Sequence, residues 1–433
     1  MLTEQLYHYY LKHPSVCTDT RKIAQDCLFF ALKGERFDAN TFAAQALKEG
    51  AAFAVVDDPA VLEHNDDRYI LVNDVLSALQ SLARHHRQQL HIPVIGLTGT
   101  NGKTTTKELI NAVLSQKFST YATQGNLNNH IGVPLSILAI GPGVELAIIE
   151  MGANHQKEIE FLCQISQPTL GLITNVGKAH LEGFGGFEGV KKGKGELYAY
   201  LQESKGVVFL DNGNAYLKEM AAAHHFTEVF TYGRQGQVKG ELLANNPFLE
   251  IEWSLDGARY QAKSNLTGIY NFENILAAIA CGVRLGLMPQ QINAGIEDYK
   301  PNNNRSQIVH TANNTVIGDF YNANPSSMAV AIDNIIALKA KSKVLILGDM
   351  FELGEDPALE HQNILERAVT SGIDTVLLVG KEFGKFHNDY PNAHFFEDTA
   401  AAKTFLQAGP IMKSLILLKG SRGMKLETLL ENL

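Results

Sequence analysis

The residues best equipped for chemistry lie in one octapeptide, Thr98-Gly99-Thr100-Asn101-Gly102-Lys103-Thr104-Thr105. It follows Val94-Ile95-Gly96-Leu97, a short apolar run that reads as a buried strand. It precedes residues 106–117, where Leu109, Ile110, Val113 and Leu114 recur at helical spacing. Strand, glycine loop, helix is the setting of a phosphate-binding loop. The glycines let backbone N–H groups curl around phosphate oxygens, and the helix N-terminus adds partial positive charge. Lys103 suits the outer phosphates, and the Thr104 hydroxyl suits Mg²⁺. The pattern is a shortened one, with Leu97 where the common loop carries its leading glycine. The plain alternative is a Gly/Thr/Asn turn between strand and helix. Gly-Lys-Thr-Thr directly after a core strand favours ATP or GTP binding instead.

Other polar residues stand at the ends of apolar runs. Glu150 directly follows Leu146-Ala147-Ile148-Ile149, where an acidic side chain suits Mg²⁺ and a helix cap or solvated strand end is the plain reading. His180, in the segment from Thr174 to Glu182 after a third apolar run, is a site candidate only, because magnesium prefers oxygen ligands. Lys191, Lys192 and Lys194 read either as a basic helix start on the surface or as cations for phosphate or carboxylate. Asn271 and Asn274, three apart at a helix start, share a face and could read an adenine edge, although capping is the commoner task of such residues. Arg21, beside Asp19 and Thr20, offers forked donors for a diphosphate, and residues 33–40 form a second polar loop. A surface loop with an ion pair is the plainer reading of both.

Such residues need elements to hold them. The 433 residues suggest three domains, at about 150 residues each. Residues 1–88 read as a small α/β unit, with strands over 28–32, 52–56 and 69–72 and helices over 42–48 and 75–89. His91-Ile92-Pro93 leads into a second unit, 89–300, whose strands over 94–97, 146–149, 170–174 and 207–210 alternate with helices. That rhythm predicts a parallel sheet covered on both faces, with its ligand at the carboxyl ends of the strands. Asp256-Gly257 between two alternating runs predicts a hairpin. Lys300-Pro301-Asn302-Asn303-Asn304-Arg305 reads as a hinge into a third unit, 301–433, with strands over 315–318, 344–347, 375–379 and 415–418. The fold class is therefore α/β: a small N-terminal domain, a central P-loop parallel-sheet ATPase domain, and a C-terminal Rossmann-like domain that closes a cleft.

Bulk composition narrows the class. Hydrophobic residues at 45% and charged residues at 19% fit a globular chain, and a net charge of −9 disfavours a nucleic-acid-binding surface. Cys17, Cys27, Cys163 and Cys281 form no C-x-x-C pair, which fits free thiols in a reducing cytoplasm. No apolar run reaches the ~18 residues of a membrane span, and no basic-then-apolar stretch opens the chain as a signal peptide. A cytoplasmic monomer is expected.

Further motifs carry a resemblance over nearly the whole chain. They are Gly125-Asn126-Leu127-Asn128-Asn129-His130-Ile131-Gly132-Val133-Pro134, Glu150-Met151-Gly152, Lys194-Gly195-Glu196, Tyr270-Asn271-Phe272-Glu273-Asn274, Asp319-Phe320-Tyr321-Asn322-Ala323-Asn324-Pro325 and Gly348-Asp349-Met350-Phe351-Glu352-Leu353-Gly354. In this order, with the glycine loop, they resemble the Mur ligase family. The resemblance implies an ATP-dependent ligase that activates the carboxylate of a UDP-N-acetylmuramoyl-tripeptide as an acyl phosphate and joins it to D-alanyl-D-alanine. It implies a catalytic set of Lys103, Glu150, His180 and Lys194, and two Mg²⁺ ions. Thr104 and Glu150 would hold one ion, and His180 with a carbamylated Lys194 the other. It places Asn271 and Asn274 at adenine, Arg305 and Asp319 at phosphate and ribose, and Thr20, Arg21, Asp38 and Asn40 in the uridine-diphosphate loops. Asn128 and Asn129 fall on the substrate side. The family often reads Asp-Gly-His where this chain has Asp38-Ala39-Asn40. A folylpolyglutamate-type ligase shares the loop but lacks a counterpart of residues 1–85. A P-loop phosphotransferase would turn over nucleotide without an amino co-substrate.

Overall fold

Short apolar runs with no polar face make strands that must be covered on both sides, and two parallel sheets and one mostly parallel sheet arise from them here. The structure, a computed structural model, describes residues 3–64, 66–302, 304–353 and 356–433. Asn303 of the expected hinge and Gly354 of the last motif lie outside the described residues.

In the first sheet, Val16–Cys17, Leu28–Phe30, Phe53–Val56 and Tyr69–Leu71 lie in that order, all parallel. The helix Val75–Gln89 packs on it through Leu79 and Leu82 and also meets the central unit. There its buried Arg87 donates to the carbonyls of Ser166 at 2.9 Å and Gln167 at 3.0 Å. The helix Thr3–Lys12, which the sequence reading did not anticipate, adds Tyr10, whose hydroxyl donates to the Leu138 carbonyl at 2.6 Å.

The central sheet runs Glu228–Tyr232, Val207–Asp211, Leu170–Ile173, Val94–Thr98, Leu146–Glu150, Thr120–Ala122, again all parallel. From Val94–Thr98 the chain first builds one side of the sheet and then the other. The crevice at the carboxyl end of that strand is the switch point where such sheets bind ligands. Register sets Glu150 opposite Leu97 and Ile173 opposite Thr98, so both neighbouring strands end beside the glycine loop. The helix that follows spans Lys103–Leu114, opening three residues before its expected start, so Lys103 stands in its first turn. It is buried between the sheet and the helix Phe272–Arg284 through Leu109, Ile110 and Val113. The expected hairpin is present: Leu249–Leu255 and Ala258–Lys263 are joined through Asp256 and Gly257 at φ of 48° and 87°. Positive φ at both positions is what a tight two-residue turn requires. Lys239–Asn245 completes that antiparallel sheet.

The third sheet runs Gln307–His310, Thr315–Asp319, Leu415–Lys419, Lys343–Gly348, Thr375–Val379, His394–Phe396. Only its first strand is antiparallel to its neighbour. The elements absent from the sequence reading are mostly edge strands, such as Thr120–Ala122, Gln307–His310 and His394–Phe396. Each is short and only partly buried, so no apolar run marks it.

The helix Pro289–Asp298 crosses the loop's helix at Gly295, where a Cβ would lie 2.5 Å from Val113 Cα and 2.6 Å from the Ala112 carbonyl oxygen. Backbone cannot rotate out of the way as a side chain can. Gly295→Ala should therefore lower the thermal midpoint, by about 1–3 kcal/mol of overpacking. Gly141→Ala, whose methyl would meet nothing within 4 Å, should leave it unchanged. Equal midpoints for the two variants in thermal unfolding would refute the close approach.

Candidate active site

The glycine loop owes its shape to the strand beside it. Gly99 has φ 150°, and a Cβ there would sit 2.0 Å from Thr174 Oγ1. Gly102 has φ 78° and faces the Asn274 side chain, where a Cβ would lie 2.8 Å from Oδ1. Asn175 Oδ1 accepts from Asn101 N at 2.9 Å, and Asn175 Nδ2 donates to Asn101 O at 3.0 Å. Thr174 Oγ1 donates to the same carbonyl at 2.6 Å, and Thr100 N donates to Asn175 O at 3.0 Å. Lys103 bends back over the loop, with Nζ donating to the carbonyls of Gly99 at 2.7 Å and Thr100 at 3.1 Å. Burial is the main reason its ammonium is held down to about 8. Glu150 opposes that shift and Arg305 adds to it.

Glu150 is buried, and its Oε1 accepts from Asn128 Nδ2 at 2.8 Å. Its Oε2 is equally buried and has no hydrogen-bond partner. A carboxylate oxygen left so is costly, and a bound ion is one standard resolution. With the buried Thr104 hydroxyl it makes an all-oxygen donor set of the kind magnesium takes. Among the described residues, no three His, Cys, Asp or Glu side chains converge on one point. The donors therefore fit magnesium shared with substrate phosphates, not a cage built by protein alone.

His180 sits at φ 50° with Nδ1 2.9 Å from Glu352 Oε2, a contact from the third unit to the central one. Burial lowers its pKa, Glu352 opposes this, and Lys103 and Lys194 add to the lowering. The surface reading of Lys194 does not hold: the residue lies well inside the helix Phe187–Glu203 and is 2% exposed. Lys192 does face solvent, and Lys191 pairs with Glu219 at 2.7 Å. Lys194 Nζ donates to the Ala153 carbonyl at 3.1 Å and lies 5.0 Å above the Phe184 ring. Among the described residues no carboxylate pairs with it. Burial, then the charge of Lys103, hold its ammonium down to about 7. Glu196 of the same motif has a structural task, accepting from the backbone N–H groups of Lys157 at 2.6 Å and Glu160 at 2.9 Å, where the helix Glu158–Ser166 begins.

Many of these residues line one cavity of about 590 Å³ that reaches from the glycine loop to the third unit, although Gly99 and Lys194 do not border it. Residues Thr100 to Thr105, Asn128, Asn129, Glu150, His180, Asn271, Asn274, Arg305 and Asp319 all border it. Several have other duties. Asn274 accepts from Thr106 Oγ1 at 3.0 Å and donates to Asn271 Oδ1 at 2.9 Å, so the pair braces the loop's helix. Asn129 Oδ1 accepts from Gly132 N at 2.8 Å at the start of the helix Gly132–Leu138. Asp319 is bound by Lys419 Nζ at 2.6 Å. Arg305 lies over the Tyr321 ring, 4.0 Å from its centre.

The sequence reading placed Asn101 in the glycine loop but assigned no role to the Asn324 and Ser326 side chains that meet it from the third unit. Asn101 Nδ2 donates to Ser326 Oγ, Ser326 Oγ to Asn324 Oδ1, and Asn324 Nδ2 to Asn101 Oδ1, each at 2.9 Å. Lys419 and this Asn-Ser ring follow strands at the carboxyl end of the third sheet, and that placement was the available signal. Thr20, Arg21, Asp38 and Asn40 do not border the cavity. Arg21 is exposed and forked onto Asp19 at 2.9 Å and 2.8 Å, the ion pair of the plainer reading. Asn40 is buried, donating to Asp38 Oδ1 at 2.7 Å and Asp57 Oδ1 at 2.8 Å while accepting from Asp57 N at 3.0 Å. Its amide fastens the loop to Asp57.

A phosphate-binding loop at the switch point of one parallel sheet, facing a second α/β unit across a polar cleft, defines a P-loop nucleotide-dependent enzyme. Residues 14–87 match the description Mur ligase family, catalytic domain; residues 97–282 match Mur ligase middle domain; and residues 304–422 match Mur ligase, glutamate ligase domain. The chain is 36% identical to the UDP-N-acetylmuramoyl-tripeptide–D-alanyl-D-alanine ligase of Bacillus subtilis, over 96% of this chain and 92% of the relative. Its fold superposes on a crystal structure of MurF from Acinetobacter baumannii with a TM-score of 0.85, at 32% identity, covering 96% of this chain and 92% of that one. A MurF ligase from Thermotoga maritima, solved in complex with ADP, gives 0.84 at 26% identity, covering 98% and 97%. The protein belongs to the Mur ligase family.

Asn175 makes two side-chain hydrogen bonds to Asn101 of the loop. Asn175→Ala should raise the nucleotide Kd up to about thirtyfold, at about 1 kcal/mol for each of the two bonds. Calorimetric titration with ADP checks this, and an unchanged Kd would show that the loop holds its shape without Asn175.

Proposed function

We propose that the protein is an ATP-dependent carboxylate–amine ligase joining D-alanyl-D-alanine to a UDP-N-acetylmuramoyl-tripeptide, the last cytoplasmic step of peptidoglycan precursor synthesis. The observation that carries this reading is the cleft in which Lys103, Glu150 and Arg305 converge, in a chain 36% identical along nearly its full length to a ligase of that name. For this role we divide the chain at 1–88 for the UDP-muramoyl substrate, 89–300 for ATP and 301–433 for completing the ATP and amino-substrate site.

The substrate carboxylate oxygen attacks the γ-phosphorus of ATP; the new O–P bond forms as the bond to ADP breaks. The amine of the dipeptide then attacks the acyl carbon, inorganic phosphate leaves with the bonding pair, and the amine proton goes to solvent. The loop N–H groups and Lys103 offset charge on the transferring group, and Arg305 does so from the opposite wall. Bound magnesium, two ions in this reading, supplies further charge neutralisation; Thr104 and Glu150 would hold one ion, and His180 and Lys194 the other. Asn271 and Asn274 border the adenine end and Asp319 the ribose. Asn128 and Asn129 lie toward the muramoyl substrate. Arg21, exposed and paired with Asp19, is our assignment for the diphosphate, with Thr20, Asp38 and Asn40 in the uridine-diphosphate loops. ATP and a UDP-linked peptide are cytoplasmic compounds, so we assign the enzyme to the cytoplasm, as a monomer. No described helix is long and apolar enough to cross a membrane.

Lys194 serves this reading as a carbamate. The ammonium would give up one proton, and the neutral amine would then add to the carbon of CO₂ and lose a second, which converts a buried cation without a carboxylate partner into an anion with two oxygen donors. The uncompensated burial of Lys194 supports this assignment. Oxygen donors are what magnesium prefers, and an ammonium beside the ion would be repelled.

Phosphate release from ATP should require both the UDP-muramoyl tripeptide and D-alanyl-D-alanine. Fast hydrolysis with neither present would favour a phosphotransferase or a nucleotide switch. Lys194→Ala should lose most activity, at least about a hundredfold by analogy with removal of one transition-state donor, and acetate or formate should restore part of it. Lys194→Arg should be inactive although it keeps the charge. Full activity of Lys194→Arg in the same assay would end the carbamate assignment.

A further inference from the structure

Beyond the nucleotide cations, the third unit carries a pair of guanidinium groups on one ring. Arg305 and Arg422 both stack on Tyr321, with their central carbons 4.0 Å and 5.2 Å from its centre. Neither has an acidic partner among the described residues, and Arg305 Nε is buried without an acceptor. Lys419, the other cation on this wall, is already neutralised by Asp319 at 2.6 Å. Stacking uses the face of a guanidinium and leaves its edge N–H groups free for a forked carboxylate. Arg305 borders the cavity and acts on Lys103, so its charge bears on the glycine loop. Arg422, exposed, has no such neighbour.

The loop bearing Arg422 is firmly held. Ser421 N donates to Asp349 O at 3.1 Å, and Ser421 Oγ accepts from Phe351 N at 2.9 Å. The Phe351 ring packs against Gly423, where a Cβ would meet it at 2.6 Å, yet it remains 47% exposed. An arginine with no acidic partner among the described residues, next in the chain to the glycine on which an exposed aromatic ring packs, suits a small ligand with a terminal carboxylate and short apolar side chains.

We propose that Arg422, held by Tyr321, receives the C-terminal carboxylate of the dipeptide substrate, with Phe351 against its methyl groups. The assignment rests on the ligase reading above. It separates two anions by residue: Arg305 serves phosphate, and Arg422 serves the dipeptide, which then presents its amine toward the cleft.

The test is steady-state kinetics of wild type, Arg422→Ala and Arg422→Lys with D-alanyl-D-alanine and with its C-terminal amide. Arg422→Ala should raise KM for the dipeptide about 10–100-fold, the range for a lost charged hydrogen bond. Its KM values for ATP and the UDP-muramoyl tripeptide should be unchanged. Arg422→Lys should fall between, because it keeps the charge and loses the fork. Wild type should use the amide poorly, whereas Arg422→Ala should treat amide and acid alike. Equal use of amide and acid by wild type would overturn the assignment without any variant. So would an unchanged dipeptide KM in Arg422→Ala, or a rise confined to the KM for ATP. No ligation by wild type would overturn the ligase reading and this assignment together; ligation without the Arg422 effect overturns the assignment alone.

Discussion

The site depends on one close approach, that of the glycine loop to the end of the neighbouring strand. Gly99 has no room for a side chain because Thr174 Oγ1 occupies the space, and Thr174 and Asn175 then take up the polar groups of Asn101. Parallel pairing of Leu170–Ile173 with Val94–Thr98 brings these residues together, and the same central strand sets Glu150 on the other side. A P-loop is often described by its glycines alone. Here its conformation is as much a property of the adjoining strand, which supplies the hydrogen bonds that hold the loop open toward the cleft.

Charge is distributed so that the site is incomplete by itself. Lys103 and Lys194 are both held below the usual lysine range, chiefly by burial. Arg305 acts on Lys103 and has no acidic partner among the described residues, while Glu150 keeps one buried oxygen unpaired. Such an arrangement is unfavourable in the free protein, because buried charges and polar atoms there lack partners. The contacts across the cleft are small by comparison. The ring of Asn101, Ser326 and Asn324, the His180–Glu352 pair and the Lys178–Glu360 pair at 3.5 Å join surfaces that also expose polar groups. Polar contacts of this kind suit an interface that closes and reopens with each turnover.

Much of this was legible in the chain. The apolar runs at 94–97, 146–149, 170–174 and 415–418 became strands because no other element buries a short stretch without a polar face. The Asp256-Gly257 turn followed from backbone sterics. Lys194 was not legible as a buried group, because a lysine among Lys191, Lys192 and glycines looks like a solvated face until the Phe184 ring closes over it. Asn40 and Asn129 have polar side chains that suit a ligand, and the structure turns both toward backbone or neighbouring carboxylates. A residue type states which bonds are available; only the neighbours state which are used.

Sequence by itself determined the loop, the alternation of strand and helix, the three α/β units and the acidic strand end at Glu150. Those follow from local rules, hydrophobic period and the conformational range of glycine, which act over a few residues. Tertiary structure decided the register that places Glu150 and Asn175 on either side of the loop. It decided the burial of Lys194, the engagement of Asp319 by Lys419, and the stacking of Arg305 and Arg422 on one tyrosine. Each of these joins residues far apart in the chain, and its energy depends on distance and on exclusion of water, quantities that exist only once the chain has packed.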